Sequence, residues 1–548
     1  MLHKELEGKA VALKKSNPCE YITNKTLDLT RKSLDLLSWL TASNTRPPQR
    51  FKDAIFLSAD PHFGQILKAC HSSGKGLGDI IIKEARKKLM EAEEQKDYSA
   101  KERVTWRFGS EITPKLSQFV LLVQDPQDIE KVLQANKENN HDSSGSFPRI
   151  LGPKTIFAQK ADSPEYAFEK KRFKSLLFNE DALSIDIEKM KTYTKDFFEE
   201  MKNTINVQEF AKHYTMGIIG KTKLGIESMP DDVKKQVSTK ITEGSIQLAN
   251  IRYNLLLSIL PFTNWSLFSN FYSHLFDRKL KNIVSEGDRL VREKIIKSNK
   301  ESILQEGNWV TLDKAPNEIK SIDLNSDATL KRLKELLIVG HDTTANILEF
   351  ALKFLADHPN IYAALRREVD TDEGNPLNWK TVKDSRLTML TAVILETLRL
   401  QPSVAIMINT MAVDCKLRED DTDFLRKGDI VFFSQYLTHR SKKLWGPDAN
   451  EFNPYRFIDT NGKIKQFSPY QFFPFGFNPR LCLGQNMAKF EIAMCLAYVV
   501  KNYDLILHRD KEHDPYEVDV IFTLKSADKA CLLEFVPREC QPSYKLSK

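Results

Sequence analysis

The feature that most constrains this chain is a helical pattern from Leu330 to Pro359. It runs almost unbroken for about 30 residues, roughly 45 Å at 1.5 Å per residue. A helix of that length crosses a whole domain, so the rest of the chain has to pack around it. In its middle lies Val339-Gly340-His341-Asp342-Thr343-Thr344. Glycine weakens a helical ladder and hydroxyl side chains can bond backbone carbonyls, which predicts a local bulge there. Taken alone, the segment reads equally well as a core helix that tolerates one glycine.

With 548 residues, 41% hydrophobic and 28% charged, the chain has the balance of a globular protein and not of a disordered one. A net charge of +7, from 81 basic and 74 acidic side chains, is too small for a nucleic-acid-binding chain of this length. The seven cysteines (Cys19, Cys70, Cys415, Cys482, Cys495, Cys531, Cys540) contain no C-x-x-C pair, which argues against a disulfide framework or zinc site. A reducing, cytoplasmic setting is expected. No continuous apolar run lies within Met1 to Ser33, so neither a leader peptide nor a transmembrane anchor is readable.

Residues 1–44 read as an N-terminal extension, closed by the turn-prone run Ser43 to Pro48. Phe63 to Lys101 is mainly helical in pattern, with Ile82 to Leu89 as a solvated face. Phe119 to Val123 reads as a buried strand, stopped at Asp125-Pro126 and followed by an amphipathic helix over Ile129 to Leu133. Helical periodicity dominates Glu165 to Lys300, with breaks at Pro230 and Pro261. Later the chain mixes short strands with helices, and Arg418 to Asp421 reads as a turn. The fold class expected is mainly α with a minor β part.

The chemistry concentrates in Phe475 to Glu491, FGFNPRLCLGQNMAKFE. Gly476, Asn478 and Pro479 make a tight loop and Gln485 to Met494 form a helix, so Cys482 falls near a helix N-terminus. Amides and the helix dipole favour a thiolate there, the form that ligates iron. Gly484 lets a flat cofactor approach the backbone. A lone cysteine in an apolar segment is more often a small buried hydrophobe, and Cys495 is read that way.

The surroundings of Cys482 resemble the cytochrome P-450 family, whose cysteine loop follows F-G-x-G-x-R-x-C-x-G. Phe475, Gly476, Arg480, Cys482 and Gly484 fit; Asn478 replaces a glycine, and asparagine tolerates the left-handed bend. The resemblance implies haem b (iron protoporphyrin IX), with Cys482 as axial ligand, Phe475 near the sulfur and Arg480 on a propionate. Glu396 and Arg399 share a helical face at i, i+3, and Arg456 lies in Phe452 to Phe457, which resembles the segment completing the family's Glu-Arg-Arg triad. These three are assigned to holding the haem-side core together.

Val339 to Thr344 is similar to the family's A/G-G-x-D/E-T-T oxygen-binding motif, with Val339 in place of the small first residue. On that resemblance Thr343 holds a water, Asp342 helps relay protons, Gly340 leaves room over the haem and His341 packs. Tyr166 and Lys170 resemble the family's aromatic-x-x-x-basic pair on the propionates, and His439 is a further propionate candidate. The arginine that often follows Gln401-Pro402 is replaced by Ile408-Asn409-Thr410. Arg440 and Lys489 are candidates for a donor-docking face.

The resemblance spans residues 45–548 and implies one haem domain with the long helix over the haem. It implies a monooxygenase acting on an apolar or amphipathic organic substrate, with electrons from a separate ferredoxin or flavoprotein reductase. No G-x-G-x-x-G segment is present, and too few residues follow the cysteine motif for flavin domains. A peroxide-using or isomerising enzyme of the same family competes with this reading, as does a haem-binding protein without turnover. A P-loop through Gly217 to Thr222 fails, because two residues instead of four separate its glycines. Tyr253 to Phe276 is a candidate for substrate entry and peripheral membrane contact, and is too polar to span a bilayer.

Overall fold

The computed structural model of the protein describes residues 54–56, 86–87, 101–108, 118–136, 164–177, 180–258, 265–305, 308–311, 316–319, 321–371, 385–417, 424–509, 516–520, 523–528 and 530–538, with single residues at 156, 159, 161, 163 and 514. The extension 1–44, most of Phe63 to Lys101, the turn Arg418 to Asp421, and the side chains of Tyr253 to Phe276 lie outside the described residues.

The early pattern folds as its local chemistry dictates. Helix α1 (Pro126–Ala135) starts where the Asp125 side chain accepts from the Gln127 amide. The helical middle consists of α2 (Pro164–Leu177), α3 (Glu180–Glu200), α4 (Val207–Lys223), α5 (Asp231–Ser258) and α6 (Trp265–Leu290). It is therefore broken more often than Pro230 and Pro261 predict. Residues Thr204–Asn206 form a strand paired with Leu532–Pro537, and the Asn206 side chain then caps α4. A strand whose partner lies at the far end of the chain leaves no local signal.

The long pattern is one helix, α7 (Asp327–Asp357), started by the Ser326 side chain, which accepts from the Thr329 amide. The expected bulge at 339–344 is absent. Thr343 Oγ1 donates to the Val339 carbonyl (2.9 Å) and Thr344 Oγ1 to that of Gly340 (3.1 Å), so the hydroxyls bond along the ladder without breaking it. A Cβ on Gly340 would lie 2.9 Å from Ile219 Cδ1, and one on Gly217 1.8 Å from Tyr193 Oη. The missing side chain of Gly340 thus lets α4 approach α7.

After α8 (Pro359–Thr371) and α9 (Thr388–Leu400), the last helix is α10 (Gln485–Asn502). Fully buried Phe210, Tyr214, Leu348, Phe350, Leu398, Phe490 and Val499 join α4, α7, α9 and α10 in one apolar core. Five strands, β1 (Ala54–Phe56), β2 (Lys101–Phe108), β3 (Gln118–Val123), β4 (Met407–Thr410) and β5 (Ile430–Phe433), pair in the order β1-β2-β3-β5-β4. Near the end of the chain β6 (Val518–Val520) and β7 (Leu524–Ser526) make an antiparallel hairpin. The architecture is mainly α with a minor β part and a long central helix. Among the described residues no helix is long and apolar enough to cross a membrane.

A buried charge cluster ties α9 to the irregular chain that precedes the cysteine loop. Arg399 and Glu396 are both fully buried. Arg399 Nε and Nη2 donate to the two Glu396 oxygens (2.6 and 2.8 Å), Nη1 to the carbonyls of His439 and Ala449 (2.6 Å each), and Nη2 also to that of Glu451 (3.1 Å). Glu396 accepts in addition from Arg456 Nε (3.2 Å) and the Asn453 amide (2.8 Å). Replacing Glu396 by Gln leaves Arg399 as a buried cation without a counter-ion. The expected loss is about 3–5 kcal/mol, read as a lower midpoint in denaturant unfolding; an unchanged midpoint would remove this cluster from any account of stability.

Candidate functional site

The cysteine loop leaves the charge cluster through Phe473, whose amide donates to His439 Nε2 (3.1 Å) and whose carbonyl accepts from Gln435 (2.8 Å). The chain then turns at Gly476, which has φ +79°, and the Cys482 amide folds back onto the Phe475 carbonyl (2.9 Å). Among the described residues Gly476 is the loop's left-handed position; Asn478 is not, and its bond to Pro479 is cis. The left-handed bend expected at Asn478 is therefore taken by a residue without a Cβ.

Cys482 lies two residues before Gly484, the cap residue of α10, and its side chain is exposed. Burial among neighbouring protein atoms nonetheless pushes the thiol pKa up, while hydrogen bonding from the Gly484 and Gln485 amides and the Lys489 ammonium pull the other way. The net direction is upward. The helix terminus does not by itself produce the thiolate that its position suggests, because desolvation outweighs two amides and one cation. Cys495 on the same helix is fully buried, as a packing residue should be.

Helix α2 brings two expected residues to this loop. Tyr166 Oη and Lys170 Nζ both donate to the Pro479 carbonyl at 2.8 Å. The Arg480 guanidinium lies 4.2 Å over the Tyr166 ring, its Nη1 donates to the Ile156 carbonyl (2.8 Å), and its Nη2 donates to that of Gln159. Burial, and after it Lys174 and Arg480, lower the Lys170 pKa. Arg480 Nε is buried and has no hydrogen-bond partner among the described residues. Such an orphan donor costs about 1–3 kcal/mol, and a carboxylate is the natural acceptor for it. An accessible sulfur, an unpaired guanidinium N–H and a side-chain-free Gly484 make a donor set that fits a haem and its propionate.

His439 does not join them. Its ring is fully enclosed by Phe472, Phe473 and Trp445, Nε2 is taken by the Phe473 amide, and burial, then Arg399 and Arg440, hold its pKa well below the usual value. Protein atoms enclose the ring, and Nδ1 is buried without a hydrogen-bond partner among the described residues. Arg440 and Lys489 lie over the rings of Tyr436 (3.9 Å) and Phe475 (5.5 Å).

On α7, between Glu335 and Leu355, only Ile338, Val339, Gly340 and Thr343 keep accessible surface. Asp342 faces elsewhere. Its carboxylate is buried against Lys525 Nζ and accepts from Thr523 Oγ1 (2.8 Å). Burial alone would raise its pKa, but Lys525, His341 and the hydrogen bonds bring it down to about 2. His341 packs, as expected: its ring nitrogens pair with the hydroxyls of Thr215 (2.8 Å) and Ser238 (3.1 Å), and burial lowers its pKa to about 3. Lys525, Thr523 and Ser403, whose hydroxyl donates to the Thr343 carbonyl at 2.6 Å, are site neighbours that sequence reasoning missed. The only local hint is a lysine within a short strand.

A family model for Cytochrome P450 matches residues 114–532. The chain is 37% identical over 182 residues to Cytochrome P450 52-M1 of Starmerella bombicola, covering 31% of this chain and 33% of that protein. It is 31% identical over 239 residues to 11-oxo-beta-amyrin 30-oxidase of Glycyrrhiza uralensis, covering 42% and 45%. Against Cytochrome P450 monooxygenase sphH of Aspergillus fumigatus it is 28% identical over 419 residues, covering 71% and 73%. The chain thus spans less than half the length of the first two of these relatives. Because the family model accounts for well over half of the chain, the protein belongs to the cytochrome P450 family, whose cofactor is haem b.

Proposed function

We propose that the chain is a haem-thiolate monooxygenase that oxidises an apolar or amphipathic organic substrate with dioxygen, taking electrons from a separate ferredoxin or flavoprotein reductase. The observation that carries this reading is the accessible Cys482 sulfur at the entry to α10, in a loop braced from α2 beside an unpaired Arg480 donor. Residues 45–548 would form the single haem domain and 1–44 an extension, in a cytoplasmic protein that touches a membrane surface through Tyr253 to Phe276.

The haem, when bound, supplies oxygen activation, which a thiolate ligand favours by donating electron density. In this assignment Cys482 would hold the iron through its sulfur, Phe475 would shield that sulfur and Arg480 Nε would donate to a propionate. Tyr166 and Lys170 act one step back, by fixing the Pro479 carbonyl and with it the loop. Thr343 is the polar side chain on the open face of α7, and its hydroxyl, already donating to Val339, offers lone pairs to orient a water. Val339 walls the same face with a branched side chain. The relatives named as a monooxygenase and an oxidase support an oxidative reaction on an organic substrate.

The purified protein, reduced and exposed to carbon monoxide, is expected to show the shifted Soret band of thiolate-ligated haem, and Cys482→Ser to lose it. A wild-type spectrum without that band overturns the proposal. Product formed only with reductase and NAD(P)H supports the monooxygenase; product formed with peroxide alone supports the peroxide-using alternative.

Tyr166→Phe combined with Lys170→Met removes two hydrogen bonds to one loop carbonyl, a loss of about 2–3 kcal/mol. Haem should then leave at lower denaturant, followed at the Soret band, with Tyr166→Phe alone giving the smaller shift. Equal midpoints for all three proteins would separate these residues from cofactor retention.

A further inference from the structure

Two residues of the β6–β7 hairpin region, Thr523 and Lys525, hold α7 at Asp342 and Asn346, and Leu524 between them reaches α7 through Ser403. Lys525 Nζ contacts Asp342 Oδ1 and reaches Asn346 Oδ1 (3.3 Å), and Thr523 Oγ1 donates to Asp342 Oδ2 (2.8 Å). Between them the Leu524 amide donates to the Ser403 carbonyl (2.8 Å), and Ser403 Oγ donates to the Thr343 carbonyl (2.6 Å). Asp342, Thr523 and Lys525 are all buried, at 3%, 1% and 6% exposure, so the clamp works out of contact with water.

We propose that Lys525 and Thr523 are positioning residues which hold Asp342 as a carboxylate on the hairpin side of α7, while Ser403 fixes the adjoining Thr343 toward the open face. The proposal rests on the monooxygenase reading for the purpose of the clamp, and on geometry alone for its existence. Asp342 then acts through the helix and Lys525.

Four other titratable groups bear on this pair: Lys212 and His213 on α4, His341 on α7 itself and Glu349 two turns further on. His341 is neutral, and no ion pair joins Lys212 to Asp342 among the described residues. Removing the Lys525 charge therefore leaves a buried carboxylate without a contacting counter-ion, and such a group takes up a proton. Arginine at the same position keeps the charge.

The test uses the full-length holoprotein and the variants Lys525→Met, Lys525→Gln, Lys525→Arg, Asp342→Asn and the double variant Lys525→Met with Asp342→Asn. Infrared difference spectra of each variant against the wild type around neutral pH are expected to show an added carbonyl stretch of a protonated carboxylic acid in Lys525→Met, absent from Lys525→Arg and from the double variant, over the constant background of the buried Glu491 and Glu335, whose pKa values burial raises. Lys525→Gln, closer in shape, should give the same band and stands in if the methionine variant does not fold. With a flavoprotein reductase and NAD(P)H, oxygen consumption by Lys525→Met should fall by about tenfold to a hundredfold and acquire a pH dependence that Lys525→Arg lacks. No added acid band in either neutral variant, or an added band that survives Asp342→Asn, overturns the clamp. A wild type that lacks the thiolate-haem spectrum overturns the monooxygenase reading instead, and the infrared arm still decides whether the clamp exists.

Discussion

Arg399 places a permanent charge where water does not reach, and its five N–H groups each require an acceptor. Two are met by Glu396 and three by the main-chain carbonyls of His439, Ala449 and Glu451. Those carbonyls belong to a stretch whose regular structure among the described residues is the single helical turn Lys442–Trp445. The guanidinium does for that stretch what a neighbouring strand does elsewhere: it satisfies polar groups that would be expensive to bury alone. Glu396, shared with Arg456 and the Asn453 amide, closes the cluster on its far side. An apolar residue in place of Arg399 would fill the volume and leave three carbonyls stranded, so the charge is tied to the path of the chain and not merely to its stability.

That path ends at the cysteine loop, which is held from the opposite direction by α2. Two donors on one carbonyl, that of Pro479, and a guanidinium stacked on Tyr166 give the loop fixed points on both sides of Arg480. The sulfur sits in a setting with competing influences. Amides and Lys489 favour the thiolate, and burial, the largest influence, opposes it. A coordinated metal cation deprotonates a thiol outright, so the balance at Cys482 is one that iron would tip.

What could be read in advance divides along the range of the interactions. The strand over Phe119 to Val123, its stop at Asp125-Pro126, α7 and the start of α10 all follow from patterns within one or two turns of chain. The Glu396–Arg399 pair was legible from its i, i+3 spacing, and Arg456 only by family resemblance. Directions were not legible. Gly340 faces Ile219 because α4 lies against it, and His439 is enclosed because Phe472, Phe473 and Trp445 converge on it from later in the chain. The strand at Thr204–Asn206 exists only because Leu532–Pro537 comes alongside. Lys525, 183 positions after Asp342, belongs to the same class.

The regularity of α7 gives its central turn a specific consequence. Successive residues of an α-helix differ by about 100° in direction, so His341, Asp342 and Thr343 must face three different surroundings. His341 meets the hydroxyls of α4 and α5, Asp342 meets the hairpin, and Thr343 meets the open face. A bulge would have allowed Asp342 and Thr343 to converge; the back-bonded hydroxyls of Thr343 and Thr344 keep the turn helical and the two side chains apart. Thr343 Oγ1 is then located by helix geometry, and the helix in turn by what grips it at 341, 342 and the 343 carbonyl. The polar groups on the two buried sides of the turn therefore set the position of a hydroxyl on the third, although none of them reaches that face.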